Sequence, residues 1–185
     1  MKTKREKALP ALRQNRSIDA RGYGCNSPRF ASFWGGMEKN IPSAIWQVTH
    51  ATASSTVRVN ASVEAVFARW SKMEDFPSFM EGVLEIRPVG EKQFILKSES
   101  GGVFYESTCE IVLRIPQKRL AWRTLAGPES SGVVCFERTG DGAEVTLKMR
   151  YDPESNWNDQ DQVSSRLHRN LQRFKALVEA EEAAK

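Results

Sequence analysis

Apolar and polar residues alternate almost without exception between Glu144 and Tyr151. Successive side chains of a β-strand point to opposite faces, so Val145, Leu147 and Met149 share one face with Tyr151. The intervening positions are charged or hydroxylated, which is typical of a strand with one buried and one solvated face. The pattern therefore predicts a sheet that is covered on one side only.

A long amphipathic helix is predicted after this strand. Apolar residues between positions 163 and 178 recur at intervals of three or four, which places them on one face of a helix. We expect this helix to lie across the apolar face of the sheet. Its stripe consists of Val163, Leu167, Leu171, Phe174, Leu177 and Val178.

The segment between residue 54 and the last strand predicts a short strand, two helices and a series of further strands. The first strand covers Thr56–Val59, Asn60 is expected to cap the first helix, and the residue before Pro77 ends it, after which a short second helix forms. Short turns between successive strands imply antiparallel neighbours. The later strands are expected near 83–89, 92–99, 103–115, 118–125, 131–138 and 143–152. The predicted fold class is α+β with the order β-α-α-β6-α.

Composition changes this picture only at the N-terminus. The 185 residues are 40% hydrophobic and 27% charged, as in ordinary globular chains, and no apolar run is long enough to cross a bilayer. Residues 1–53 hold nine Lys or Arg and three Asp or Glu, a net charge of +6, whereas residues 54–185 hold 18 and 20, a net charge of −2. Because the first segment also lacks a hydrophobic period, we predict an irregular basic arm over 1–53 and one domain over 54–185.

The arm leaves alternatives open. Organelle transit peptides are basic and poor in acidic residues, and so are flexible tails. Aromatic residues of the arm, such as Trp34 and Trp46, could stack on nucleic-acid bases, but a basic tail is more often merely solvated, so we expect no nucleic-acid partner. The three cysteines, Cys25, Cys109 and Cys135, are far apart and suggest neither a disulfide framework nor a zinc site. This spacing favours a reducing, cytoplasmic location.

Few residues of the predicted domain are suited to catalysis. Of the two histidines, His50 lies in the arm and His168 on the polar side of the C-terminal helix, so no nucleophile–base pair is indicated. The predicted inward positions contain neither a cluster of metal ligands nor a pair of carboxylates. We therefore expect no catalytic residue, no metal and no cofactor, and the sequence favours binding over turnover.

Several segments of the domain carry a resemblance to a known family. They are Val59–Phe67, Trp70 with Glu74–Met80, Leu120–Thr124, Ser131–Phe136, Tyr151–Pro153 and Leu171–Lys175. Residues 54–185 resemble the START-like, or SRPBCC, superfamily in its polyketide cyclase/dehydrase-type branch. The resemblance implies a helix-grip fold, in which a curved seven-stranded antiparallel sheet surrounds a long C-terminal helix. In this branch the residue before the last of these segments is often acidic, and here it is Asn170, which argues against an acid/base role at that position.

The resemblance also implies a cavity between the concave sheet face and the C-terminal helix, which would accept an apolar small molecule or lipid. A curved sheet and one helix cannot interdigitate everywhere, so the space between them is either filled by large side chains or left as a pocket. On the helix, Asn170 lies about 40° from the middle of the apolar stripe and His168 about 120° away, so Asn170 is expected to face inward. The candidate ligand-binding residues are Phe67, Phe79, Phe94, Tyr105, Cys109, Ile111, Trp122, Leu147, Met149, Tyr151, Leu167, Asn170, Leu171 and Phe174.

Three functions are compatible with these expectations. The leading one is a carrier or sensor that binds a hydrophobic molecule, with Asn170, Tyr105 or Tyr151 supplying polar contacts and access near Asp75–Met80. The first alternative is a cyclase or dehydrase that shapes a reactive chain in the same cavity, where a Tyr or Arg need only polarise a carbonyl. The second is a protein-interaction domain with an incidental cavity. The sequence specifies no oligomeric state.

Overall fold

The structure, a computed structural model, describes residues 50–153 and 160–184. The predicted basic arm up to residue 49 and residues 154–159 lie outside these ranges. Within the described ranges, seven strands, two α-helices and one 3-10 helix follow one another along the chain. The strands are β1 Ala51–Val59, β2 Val83–Pro88, β3 Gln93–Ser100, β4 Val103–Ile115, β5 Arg119–Ala126, β6 Ser130–Thr139 and β7 Gly142–Tyr151. The helices are α1 Val63–Ser71 and α2 Gln160–Ala183, and the 3-10 helix is Met73–Ser78.

The strands form one antiparallel sheet in the order β1-β7-β6-β5-β4-β3-β2. The sheet curls into a half-barrel, and α2 packs mainly against β1, with further contacts to β7 and α1. This arrangement confirms the predicted helix-grip fold. The bounds of β2 to β7 agree with the prediction within about one residue, whereas β1 begins at Ala51 rather than at Thr56.

Helix α1 begins two residues later than the sequence predicts. Its N-cap is Ser62, whose hydroxyl oxygen accepts a hydrogen bond from the backbone N–H of Ala65 at 3.2 Å. The predicted cap, Asn60, instead donates its backbone N–H to the carboxylate of Glu179 in α2 at 2.7 Å. Asn60 therefore ties α2 to the end of β1 rather than starting α1.

The short second helix is a 3-10 helix that runs through Pro77 rather than beginning after it. Residues three apart lie above one another in a 3-10 helix, so Met73, Phe76 and the following Phe79 share one face. All three are buried. The period of three therefore places these three apolar side chains against the core.

The core lies between the concave sheet face and the helices. The predicted stripe of α2 is buried at every position except Leu177, which is half-buried. Trp70 of α1 is at the centre of an aromatic cluster, with ring centroids 4.9–6.1 Å from its four aromatic partners. Those partners are Phe76, Phe79, Phe136 and Phe174. The cluster fixes α1, the 3-10 helix and α2 to one end of the sheet.

The cysteines differ from the prediction at one position. Cys109 is a buried free thiol, but Cys135 is disulfide-bonded. Spacing along a chain does not determine which side chains meet in space, so the absence of a cysteine motif did not exclude this bond. The cytoplasmic location that the cysteine spacing favours stays a prediction.

Candidate functional site

A cavity of about 110 Å³ lies between the inner face of the sheet and the first half of α2. An engineered cavity of about 150 Å³ is known to hold benzene, so this space is of the order of one small ring. Most of the lining is apolar. The apolar lining residues are Trp70, Met73, Phe76, Met80, Val83, Ile86, Phe94, Leu96, Leu120, Trp122, Pro128, Leu147, Met149 and Leu167.

Eight of the fourteen predicted ligand-binding residues line this cavity. They come from β3, β4, β5, β7 and α2, so the site draws on the sheet and the helix together. The predicted residues that line the cavity are Phe94, Tyr105, Trp122, Leu147, Met149, Tyr151, Leu167 and Asn170.

The other predicted site residues do not line the cavity. They are Phe67, Phe79, Cys109, Ile111, Leu171 and Phe174. Phe79 and Phe174 belong to the aromatic cluster around Trp70, and Phe67 packs edge-on against Phe136 with centroids 5.3 Å apart. These side chains fill one end of the space between helix and sheet, so the cavity is confined to the other end.

The remaining three of these six residues are packed in the protein interior. Leu171 is fully buried in the core, and Ile111 packs against the same cluster of buried residues. Cys109 is fully buried, and its sulfur lies 3.9 Å from the hydroxyl of Thr124. Burial raises the pKa of the Cys109 thiol, which disfavours the thiolate form that acts as a nucleophile.

Asn170 of α2 faces the interior and lines the cavity, as the helical wheel predicts. It is 6% exposed, and its side-chain oxygen accepts a hydrogen bond from the backbone N–H of Glu81 at 3.0 Å. Glu81 lies in the turn between the 3-10 helix and β2. A buried amide needs partners, and this bond also joins α2 to the rim of the cavity.

Arg166 is a lining residue that the sequence analysis missed. It lies one helical turn before Asn170 and its guanidinium approaches the turn at Gly82. Burial lowers the pKa of Arg166 below its ordinary value, and the nearby carboxylates of Glu81 and Glu99 act in the opposite direction. Its position four residues from Asn170 was the signal available in the sequence, because such residues share a helix face.

Glu81 and Glu99 bring carboxylates to the same rim. The Glu81 carboxylate accepts hydrogen bonds from Nε and Nη2 of Arg169, both at 3.2 Å. This hydrogen bonding lowers the pKa of Glu81, which keeps it ionised at neutral pH. Glu99 accepts a hydrogen bond from the backbone N–H of Gly102 at 2.6 Å. Both carboxylates are therefore engaged by groups of the protein.

Glu129 also lines the cavity, and its carboxylate contacts His50. Arg150 donates to Nδ1 of His50 at 2.8 Å, and Nε2 of His50 lies 3.0 Å from the Glu129 carboxylate. Because arginine can only donate, Nδ1 accepts and Nε2 carries the proton that reaches Glu129. His50 does not itself line the cavity. His168 is exposed and touches Ser55 at 3.3 Å, as its position on the polar helix face predicts.

Trp122 forms part of the cavity wall, and its partner on the neighbouring strand is a glycine. Gly132 of β6 is its partner in the register of β5 and β6, and a Cβ added at Gly132 would lie 2.2 Å from the indole ring. Glycine at this position therefore lets the indole lie flat over β6. The shape of the cavity depends on this absence of a side chain.

Comparison with known proteins agrees with this geometry. Residues 50–179 match the family described as polyketide cyclase / dehydrase and lipid transport. The chain belongs to this family. It is 32% identical over 130 residues to an uncharacterised 17.2 kDa protein of Streptomyces lincolnensis, an alignment that covers 67% of this chain and 87% of that protein.

Solved structures share the fold of this family member. A Deinococcus radiodurans protein is 24% identical with a TM-score of 0.61, and the match covers 71% of this chain and 99% of that one. A START superfamily protein of Mycobacterium smegmatis is 15% identical with a TM-score of 0.58, covering 74% and 100%. The di-domain aromatase/cyclase StfQ of the steffimycin biosynthetic pathway is 16% identical with a TM-score of 0.57, covering 70% of this chain and 45% of StfQ.

No helix in residues 50–153 or 160–184 combines the length and the apolar character that spanning a bilayer requires. In the same ranges, no three His, Cys, Asp or Glu side chains gather closely enough to hold a metal ion.

Proposed function

We propose that this family member binds a small, largely apolar molecule in the cavity beneath α2, as a carrier or sensor. The observation that carries the proposal is the cavity itself, which has a mainly apolar lining drawn from sheet and helix. Moving apolar surface from water into such a space is favourable by about 25 cal/mol per Å². The family description, which includes lipid transport, supports the same class of ligand.

The volume of the cavity limits the ligand. A space of about 110 Å³ suits one ring or a short chain, whereas drug-sized ligands occupy pockets of about 300–1,000 Å³. A long acyl chain would therefore extend through the rim or displace part of it. We propose the ring-sized ligand as the one that fits without rearrangement.

Access is proposed along the 3-10 helix. Met73 and Phe76 of this helix line the cavity, and so does Met80 just after it. Hydrogen bonds of a 3-10 helix have poorer geometry than those of an α-helix, and Pro77 lacks a backbone N–H, so we expect this backbone to yield more easily than a strand, at the cost of separating Phe76 from Trp70. Displacement of the segment would open the cavity without unpairing a strand.

Cyclase or dehydrase chemistry is a second candidate, and the polar residues of the lining favour it. Arg166, Tyr105 and Tyr151 all line the cavity beside apolar walls. In such a setting they could polarise a carbonyl while the walls fold a reactive chain. Conversion of a poly-ketone substrate by the purified protein, lost in Arg166→Met, would favour this function over a carrier.

The proposal is tested by calorimetric titration with cumene, a benzene ring bearing an isopropyl group. We expect saturable binding with one site per chain, and at least about a tenfold loss of affinity in Leu147→Trp. Leu147 is buried and lines the cavity, so the larger indole would occupy the space that the ring needs. Lys148→Trp is the matched control, because the neighbouring residue points to the other face of β7.

The outcomes of this titration are distinct. Saturable binding by the wild type and by Lys148→Trp, but not by a folded Leu147→Trp, supports the cavity as the site. If Leu147→Trp fails to fold, Met149→Trp places the same indole at a half-buried lining position. Absence of saturable uptake by the wild type would refute the binding function and favour an interaction domain.

A further inference from the structure

The cavity reaches the protein surface at one end of the sheet. Among the described residues that line it, only Glu81 and Glu129 are exposed. Glu81 lies just before the start of β2, and Glu129 lies just before the start of β6. Neighbouring strands are antiparallel, so β1, β2, β4 and β6 all start at this end, where β3, β5 and β7 finish. We call this end of the sheet the mouth end.

Four of the six exposed large apolar side chains of the described residues lie at the mouth end. Val103 and Phe104 are the first two residues of β4, Leu84 is the second residue of β2, and Leu125 is the last but one of β5. Phe104 is 73% exposed, and the other three are 44–51% exposed. Single exposed apolar residues are ordinary on a protein surface, but four around the opening of an apolar cavity indicate an interaction site.

Val103 and Phe104 lie at the tip of a projecting hairpin. Gly101 and Gly102 both have positive φ and form the two-residue turn that precedes Val103. A Cβ added at either glycine would meet no other atom of the described residues within 4 Å, so none of these residues packs over the turn. Pairing of β4 with β5 begins at Thr108, so residues 103–107 extend past the end of β5.

This hairpin borders the segment through which access to the cavity is proposed. The backbone N–H of Glu99, near the end of β3, donates to the carbonyl oxygen of Gly82 at 2.7 Å. Gly82 and the preceding Met80 and Glu81 all line the cavity. A surface that received the hairpin tip would therefore lie next to the opening.

A basic segment of the chain is joined to the domain at the mouth end. Residues 1–49 contain nine Lys or Arg and three Asp or Glu, a net charge of +6. They precede β1, whose first residue, Ala51, pairs with Tyr151 at the end of β7. Basic residues next to exposed apolar side chains favour a lipid surface that is both negatively charged and apolar beneath its headgroups.

We propose that the mouth end docks on an anionic lipid bilayer, with Val103 and Phe104 of the hairpin tip between the headgroups and the acyl chains. Leu84 and Leu125 then face the same surface, and the cavity opens toward it. The docking does not require a bound ligand. Exchange of an apolar ligand between the bilayer and the cavity, which the docking permits, rests on the proposed binding function.

Flotation of the full chain with lipid vesicles tests the docking. We expect at least about tenfold tighter binding to phosphatidylcholine vesicles containing about 30% phosphatidylglycerol than to pure phosphatidylcholine vesicles, because the basic segment is attracted to anionic headgroups. Salt at about 0.5 M should weaken this binding, since it screens the attraction. The double variant Val103→Ser with Phe104→Ser should bind the anionic vesicles at least about fivefold more weakly, because it loses apolar surface at the tip.

The matched control is the double variant Val89→Ser with Val112→Ser. Val89 follows the end of β2 and Val112 lies near the end of β4, so both lie toward the other end of the sheet. They are 44% and 40% exposed. This variant should bind the anionic vesicles within about twofold of the wild type. Melting temperatures close to that of the wild type are expected for both double variants, because all four positions are exposed.

The docking would be overturned if the wild type bound neither kind of vesicle, or if the hairpin and control variants lost the same affinity. A wild-type dimer that only the hairpin variant loses, seen by analytical ultracentrifugation without vesicle binding, would also overturn it and assign the tip to a second copy of the chain. Cumene binding in solution should be unchanged in the hairpin variant, so failure of the docking is distinct from failure of the binding function. Vesicle binding by a protein that takes up no cumene would support the docking and overturn the ligand exchange.

Discussion

At the scale of single residues, Phe174 separates the part of α2 that is packed from the part that borders the cavity. It is fully buried, and its ring lies 4.9 Å from Trp70 and 5.1 Å from Phe79, measured between centroids. Leu167 and Asn170, nearer the start of the helix, line the cavity instead. Phe174 therefore stabilises the helix on the sheet without contacting the space for a ligand.

The variant Phe174→Ala is expected to lower the free energy of unfolding by about 3–5 kcal/mol, because it leaves a void within the aromatic cluster. Chemical denaturation followed by circular dichroism measures the change. Gln172→Ala, at an exposed position of the same helix, should stay within about 0.5 kcal/mol of the wild type. A loss of less than about 1 kcal/mol for Phe174→Ala would contradict the observed packing.

The residues of α2 also show what the sequence could predict at this scale. The apolar stripe placed Asn170 about 40° from its middle, and Asn170 is buried at the cavity. Arg166 lies about 80° from the same middle, at a flank where an exposed residue is the ordinary expectation. It reaches the cavity through its long side chain, which a helical wheel does not represent.

At the scale of elements, the pairing of β5 with β6 shapes one wall of the cavity. Trp122 and Gly132 are register partners, and the indole lies over the glycine where any Cβ would collide with it. Met149 of β7 is the next partner of Gly132 across the sheet and also lines the cavity. Together, β5, β6 and β7 position the Trp122 indole at the inner face of the sheet.

Gly132→Ala is expected to destabilise the protein by about 1–3 kcal/mol, since the added methyl group forces the indole to move within a packed sheet. The shift in melting temperature, measured by thermal unfolding with circular dichroism, tests this expectation. Gly90→Ala is the control, because a Cβ at Gly90 meets no atom within 4 Å. If both variants unfold at the wild-type temperature, the close approach of Trp122 to β6 is not a feature of the protein.

Strands β2 to β7 were predictable because their alternation and the short turns between them were clear in the sequence. The sheet face on which a residue lies beyond a bulge was not predictable from the sequence. Ile111 pairs with Trp122, but the register of β4 and β5 shifts after this pair. Leu113 therefore pairs with Ala121, the direct neighbour of Trp122, although Leu113 lies two residues beyond Ile111. A bulge is set by the partner strand and leaves no period in the sequence.

At the scale of the whole molecule, the order of elements together with the family resemblance predicted the helix-grip fold, but neither predicted the extent of the cavity. The sequence identified the large apolar side chains between helix and sheet without distinguishing those that pack together from those that surround a space. Phe67, Phe79 and Phe174 fill one end with the aromatic cluster, and Phe94, Leu147 and Leu167 border the space at the other. That division depends on three-dimensional packing.

The central claim, that the space beneath α2 holds a small apolar molecule, is tested most directly by locating a bound ring. Nuclear Overhauser effects between the ring protons of cumene and the protein, recorded at saturating probe, identify the side chains that touch it. We predict contacts to the methyl groups of Leu147, Leu167 and Met149, which line the cavity. Contacts confined to exposed apolar side chains such as Phe104 and Leu84, or none at all, would contradict the account.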